Sequence, residues 1–122
     1  SEITKTENNF IIMDAYNANP SSMKAMIESF AKQNYNNKLC ILGDMLEMGD
    51  FANKEHAKII TLCKKLNLDT IFVGKQFSKL SNKAFDNLTE IKKFLQHNLI
   101  KGKTILLKGS RSIKLEELVA YL

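Results

Sequence analysis

The chain has 122 residues, 44% hydrophobic and 25% charged, with 18 Lys plus Arg against 13 Asp plus Glu and a formal charge of +5. A chain of this size and composition can bury roughly two thirds of its unfolded surface as one globular domain, and a single domain over 1–122 is the expectation. No run of about 18 apolar residues exists, which excludes a membrane-spanning helix.

In chain order, Ser1 to Asn9 is polar with no apolar h-region, so no secretory signal is expected, and the lack of an initiator Met predicts a piece of a longer chain. Glu2 to Thr6 is expected to pair with Phe10 to Ala15 as an antiparallel edge through a turn at Glu7-Asn8-Asn9. Met23, Met26, Ile27 and Phe30 then form a helical stripe after Pro20, with Ser21 and Ser22 as N-cap candidates. Leu39 to Leu42 reads as the next strand, and Ile59, Ile60, Cys63 and Leu66 as the next helix. Thr70 to Val73 is a strand and Lys83 to Phe85 a shorter one. Leu88, Ile91, Phe94, Leu95 and Leu99 form a helical stripe opened by Asn87 with Glu90 three residues on. Thr104 to Leu107 is a strand, and Leu115, Leu118, Val119 and Leu122 predict a last helix capped by Ser112, with Glu116 and Glu117 near its positive end. Apolar strand-length runs alternating with helical stripes predict an α/β architecture with a largely parallel sheet covered on both faces.

All but one of the basic residues are Lys, scattered from Lys5 to Lys114 without interleaved aromatics, so a solvated surface is expected and nucleic-acid binding is not. The exception, Arg111, brings the one planar bidentate cation into Lys108-Gly109-Ser110-Arg111-Ser112. Cys40 and Cys63 lie in apolar segments without a CxxC pair and read as buried thiols of a reducing, cytoplasmic compartment.

Open parallel sheets bind ligands beyond the carboxyl ends of their strands. The amino-end loops Asn36-Asn37-Lys38, Asn67-Leu68-Asp69 and Lys101-Gly102-Lys103 read as solvated turns. The carboxyl-end loops carry the chemistry: Asp14 to Pro20, Gly43 to Gly49, Gly74-Lys75-Gln76, and Lys108 to Ser112. Carboxylates, amides, the Tyr16 phenol and the sole Arg converge there. Two readings of these loops stay open, a ligand site or a structural edge in which Asp14 caps a turn and Asn17 and Asn19 satisfy loop amides.

Several motifs fail. Gly102-Lys103-Thr104 ends like a P-loop, but its first glycine would fall at His97 and it precedes a strand. GxGxxG and GxSxG are absent. Asp14 and Lys108 would suit a phospho-receiver, yet the third strand ends in Val73-Gly74 with no aspartate. His56 shares a stripe with Ile59, Ile60 and Cys63, and Cys40 and His97 lack ligand partners at useful spacing, so no metal site is expected.

Three segments, Asp14-Ala15-Tyr16-Asn17-Ala18-Asn19-Pro20-Ser21-Ser22-Met23, Leu42-Gly43-Asp44-Met45-Leu46-Glu47-Met48-Gly49 and Lys108-Gly109-Ser110-Arg111-Ser112, resemble signatures of the C-terminal domain of the Mur ligases. The resemblance covers nearly the whole chain. It implies a Rossmann-like open sheet of about six mostly parallel strands with one antiparallel edge strand, closing as a lid over a central ATPase domain. It also implies a part in an ATP-dependent amide ligase of peptidoglycan precursor synthesis, acting on a UDP-linked muramoyl tripeptide and D-alanyl-D-alanine. ATP and magnesium would be held mainly by the central domain, so this domain alone is expected to be inactive. By the same resemblance Asp14, Tyr16, Asn17 and Asn19 would touch the nucleotide, and Lys108, Ser110 and Arg111 the acyl acceptor or the substrate peptide. Asp44, Glu47 and Lys75 would support the crevice. A second reading stays open, a free-standing α/β module that binds a nucleotide or anion without chemistry.

Overall fold

The computed structural model describes residues 2–14 and 17–122. Its strands are β1 (Glu2–Lys5), β2 (Phe10–Asp14), β3 (Lys38–Gly43), β4 (Asp69–Val73), β5 (Ala84–Phe85) and β6 (Thr104–Lys108). The helices are α1 (Pro20–Lys32), α2 (Ala52–Lys65), α3 (Lys75–Ser78) and α4 (Leu88–His97), with 3-10 turns at Gly49–Phe51, Arg111–Ile113 and Leu115–Tyr121. One six-stranded sheet runs β1-β2-β6-β3-β4-β5. Among the described residues only the β1–β2 pair is antiparallel, with Ile3 opposite Ile12.

Strand alternation divides the core. Ile12, Cys40, Leu42, Phe72 and Leu106 face α1, α2 and Phe77, while Ile11, Leu39, Ile41, Val73, Ile105 and Leu107 face α4 and the C-terminal 3-10 segment. Both faces are covered, which is why the central strands read as unbroken apolar runs. The chain leaves β2 and β3 toward the first face and β6 toward the second. The carboxyl ends of β2, β6 and β3 are therefore where successive connections diverge, the place such sheets leave open for a ligand.

Two expected caps are corrected. Helix α1 begins at Pro20, which has no N–H to satisfy, so the cap precedes it. Asn19 Oδ1 accepts from Ser22 N at 2.9 Å and Ser22 Oγ accepts from Asn19 N at 3.1 Å, a reciprocal capping box. The expected last helix is instead two 3-10 turns parted at Lys114, whose left-handed conformation (φ 60°) rules out one continuous helix from Ser112 onward. Ser112 lies inside the first turn and caps nothing. Glu117 reaches across to Lys92 of α4 at 2.6 Å, and that hydrogen bond holds its carboxyl below and the Lys92 ammonium above their usual values. Asn87 does cap α4, accepting from Glu90 N at 2.9 Å.

At the carboxyl edge β3 and β6 approach unusually closely. A Cβ on Gly109 would lie 2.7 Å from Gly43 Cα, so Gly109 needs to be glycine, and the contact is with backbone that cannot rotate away; a Cβ on Gly43 would press on Ile113 and Leu115 side chains at 3.2 Å. Gly109→Ala is expected to destabilise the chain by about 1 to 3 kcal/mol, the usual cost of overpacking, within one cooperative unfolding transition. A urea melt with an unchanged midpoint would show that the two strand ends can part.

Candidate functional site at the carboxyl edge

The site rests on Asp44, the residue that follows β3. Its side chain is almost fully buried, and its carboxylate accepts Gln76 N at 2.8 Å (Oδ2) and Phe77 N at 3.0 Å (Oδ1), capping the single turn of α3. The carboxylate fits only because Gly74 has no side chain: a Cβ there would lie 2.2 Å from Asp44 Cγ, and Gly74 has φ 132°. The Asp44 main chain donates to Val73 O and accepts from Ser110 N, each at 3.0 Å. Leu46 N donates to Ser110 Oγ at 2.8 Å. One short segment thus fastens the loop after β4 and the loop after β6 to the end of β3.

His56, read from sequence as core packing, does more. It is fully buried, its Nδ1 lies 2.6 Å from Ala52 O, and its Nε2 accepts Met45 N at 3.0 Å. Accepting that N–H leaves Nε2 without a proton, so Nδ1 carries it and donates to Ala52 O. Nε2 lies 3.8 Å from Asp44 Oδ1, but without its proton it forms no charged pair there. The ring stands edge-on to Phe77 with centroids 4.6 Å apart. A lone histidine on an otherwise apolar stripe was the available signal.

Asp14 and Lys108 end neighbouring strands in register, and Lys108 Nζ donates to Asp14 Oδ2 at 2.9 Å. The lysine side chain is 1% exposed and the aspartate 25%. Arg111 is exposed and makes no ion pair among the described residues, and Glu117 pairs with Lys92. Asp14, Lys108, Ser110 and Arg111 line one cleft of about 10 Å³, room for roughly one water. The edge is a wall, which needs an opposite face to enclose a ligand.

Of the other expected site residues, Tyr16 lies outside the described residues. Asn17 and Asn19 are exposed at the start of α1, where Asn17 O accepts from Ser22 Oγ at 3.0 Å and Asn19 Oδ1 is engaged in the cap. Lys75 is exposed at the start of α3, and Glu47 is exposed at a turn with φ 61°. Both cysteines are core residues whose thiols burial pushes up, away from nucleophilic use. Among the described residues no cluster of His, Cys, Asp and Glu could hold a metal ion, and no helix is long and apolar enough to cross a membrane.

A roomier hollow of about 550 Å³ lies at the opposite, amino edge, against Phe10 and Tyr35. Its polar floor is already satisfied: Asn9 Nδ2 donates to Ile100 O and Leu122 O, and Asn9 Oδ1 accepts from Lys103 N.

The asymmetry of the Asp14–Lys108 pair sets a stability order. Asp14→Ala strands a buried ammonium and is expected to cost about 3 to 5 kcal/mol. Lys108→Met leaves a carboxylate that water can reach and costs less. Denaturant melts of both variants check this, and the reverse order would contradict the burial of Lys108.

The family model described as the Mur ligase, glutamate ligase domain matches residues 1–111. The UDP-N-acetylmuramoyl-tripeptide--D-alanyl-D-alanine ligase of Bacillus subtilis (strain 168) is 38% identical over 132 aligned residues, covering 97% of this chain and 29% of that protein. The enzyme of the same name from Escherichia coli (strain K12) is 32% identical, covering 98% and 28%. Among solved structures, MurF from Acinetobacter baumannii superposes with a TM-score of 0.79 at 31% identity, covering 98% of this chain and 28% of that one. MurF from Thermotoga maritima in complex with ADP shares the fold, with a TM-score of 0.71 at 23% identity over 98% of this chain and 29% of that one. The chain therefore spans less than a third of these relatives' length. With the α/β sheet expected from the sequence in place and the family model covering most of its length, the chain belongs to the Mur ligase family and carries its glutamate ligase domain.

Proposed function

We propose that this chain is the acceptor-binding lid of a cytoplasmic, ATP-dependent amide ligase that adds D-alanyl-D-alanine to UDP-N-acetylmuramoyl-tripeptide. The observation that carries the reading is the gathering of three motif loops around the end of β6, in a chain 38% identical to a ligase of that name. The shallowness of the cleft supports a lid: the edge presents groups to a ligand held from the other side, by a central domain of the same polypeptide. That domain would supply the triphosphate and magnesium sites. Asp14 is paired with an ammonium and stands apart from any carboxylate cluster, so it suits a hydroxyl or amine donor of the nucleotide better than a metal ion.

In the reaction ATP phosphorylates the tripeptide carboxylate. The dipeptide amine then attacks the acyl carbon, the C–N bond forms, phosphate leaves with the C–O bond electrons and the amine loses a proton. What this chain's residues contribute is position and exclusion. Arg111 offers a planar fork to a substrate carboxylate, held by a loop that Ser110 fastens to Asp44 and Leu46. Closure of the edge over the acyl phosphate keeps out the water that would hydrolyse it.

Two outcomes are expected. The chain alone releases no phosphate from ATP and binds it in the millimolar range, on the order of −4 kcal/mol. Turnover in a phosphate-release assay would sink the lid reading. In the complete ligase, Arg111→Lys is expected to lower kcat/KM for D-alanyl-D-alanine roughly 10- to 150-fold, the equivalent of one charge-assisted hydrogen bond of about 1.5 to 3 kcal/mol, with the melting temperature unchanged. A fully active Lys variant would rule out bidentate recognition.

A further inference from the structure

Sequence resemblance assigns Lys108 to the acyl acceptor, but its placement argues otherwise. It ends β6 between Asp14 of β2 and Leu42 of β3, each in register with it. Alternation puts all three on the sheet face that carries Ile12, Leu106, α1 and α2. Although Lys108 contributes to the cleft's wall, its side chain is only 1% exposed, and among the described residues Nζ makes its hydrogen bond to Asp14. Asp14 reaches the rim, and Arg111, three residues further on, stands in solvent.

We infer that Lys108 is a positioning residue for the nucleotide side of the site: it fixes the Asp14 carboxylate at the crevice rim and offsets its charge, and it does not touch the acceptor. The inference rests on the proposed function and deepens it. Two physical effects act in the same direction. A hydrogen bond at Oδ2 fixes the carboxylate plane, so that a nucleotide hydroxyl or amine meets an oriented acceptor. A bare carboxylate beside a polyphosphate would repel it, and an ammonium 2.9 Å behind Asp14 removes most of that repulsion. Arg111, by contrast, is left to the substrate carboxylate.

The test is steady-state kinetics of the complete ligase with Lys108→Met, Asp14→Asn and the double variant, alongside melting temperatures. Lys108→Met is expected to raise KM for ATP about tenfold, as for coupled neighbours, with KM for D-alanyl-D-alanine within about twofold of the parent. The double variant should be no worse than Asp14→Asn alone. A rise in the dipeptide KM instead would place Lys108 on the acceptor and overturn the inference. So would multiplying effects in the double variant, or a lowered melting temperature with both KM values unchanged. If Asp14→Asn raises the ATP KM and Lys108→Met does not, the role of Lys108 alone fails. If Asp14→Asn leaves the ATP KM unchanged, the assignment of Asp14 to the nucleotide fails and takes this inference with it. Should Lys108→Met not fold, Lys108→Gln is neutral, keeps a donor and is read by the same criteria.

Discussion

A carboxylate taken out of water must be given hydrogen bonds, and Asp44 receives them from the two main-chain N–H groups that open α3. Everything else at the carboxyl edge is arranged around that requirement. Gly74 is a glycine because the carboxylate occupies the volume of its missing side chain. The main chain of Asp44 is consequently held at fixed height and can bind Val73 on one side and Ser110 on the other. His56 supports the next residue through Met45 N, and the Gly43–Gly109 contact lets β6 come close enough for Ser110 to reach. Charge-assisted bonds of this kind contribute about 1.5 to 3 kcal/mol each, enough to hold short loops that have little apolar burial of their own.

The two cations at the end of β6 illustrate how burial assigns roles. Lys108 and Arg111 lie three residues apart in one motif and look equivalent on the page of a sequence. The strand ends between them, so one side chain turns into the sheet face and the other into solvent. An ammonium on a flexible stem can follow the strand inward and pair with Asp14. A guanidinium is bulkier, needs several acceptors and is more useful where a planar anion can approach it.

The strands and helices were legible because both sheet faces are buried, so each strand is an apolar run and each helix a single stripe. The β1–β2 edge and the short β5 were also readable, the first from its turn residues. What the sequence hid depended on single torsions and on contacts distant in sequence. The left-handed Lys114 splits the expected last helix, and nothing in a lysine announces that conformation. Asn19, with Pro20 after it, was a legible cap obscured by the serines that follow. For the candidate site, the contrast between loops at the two ends of the sheet is what singles out the carboxyl edge in the sequence. The bracket made by Asp44 was not legible there, because its partners Gln76, Phe77 and Ser110 are 32 to 66 residues away.

If the edge closes over a ligand as proposed, it has to be rigid before the ligand arrives, or ordering it would cost binding energy at the moment of closure. The edge meets that demand with bonds from main-chain N–H groups: Ser110 N to Asp44 O, Leu46 N to Ser110 Oγ, and Gln76 and Phe77 N to the Asp44 carboxylate. The groups left pointing outward are few, and each stands on a residue whose backbone or partner is already fixed, Asp14 by Lys108 and Arg111 by its neighbour Ser110. Under the proposed lid role, rigidity in the frame and sparseness in the contact groups are the same economy, since a lid that opens to release product cannot grip with its whole surface.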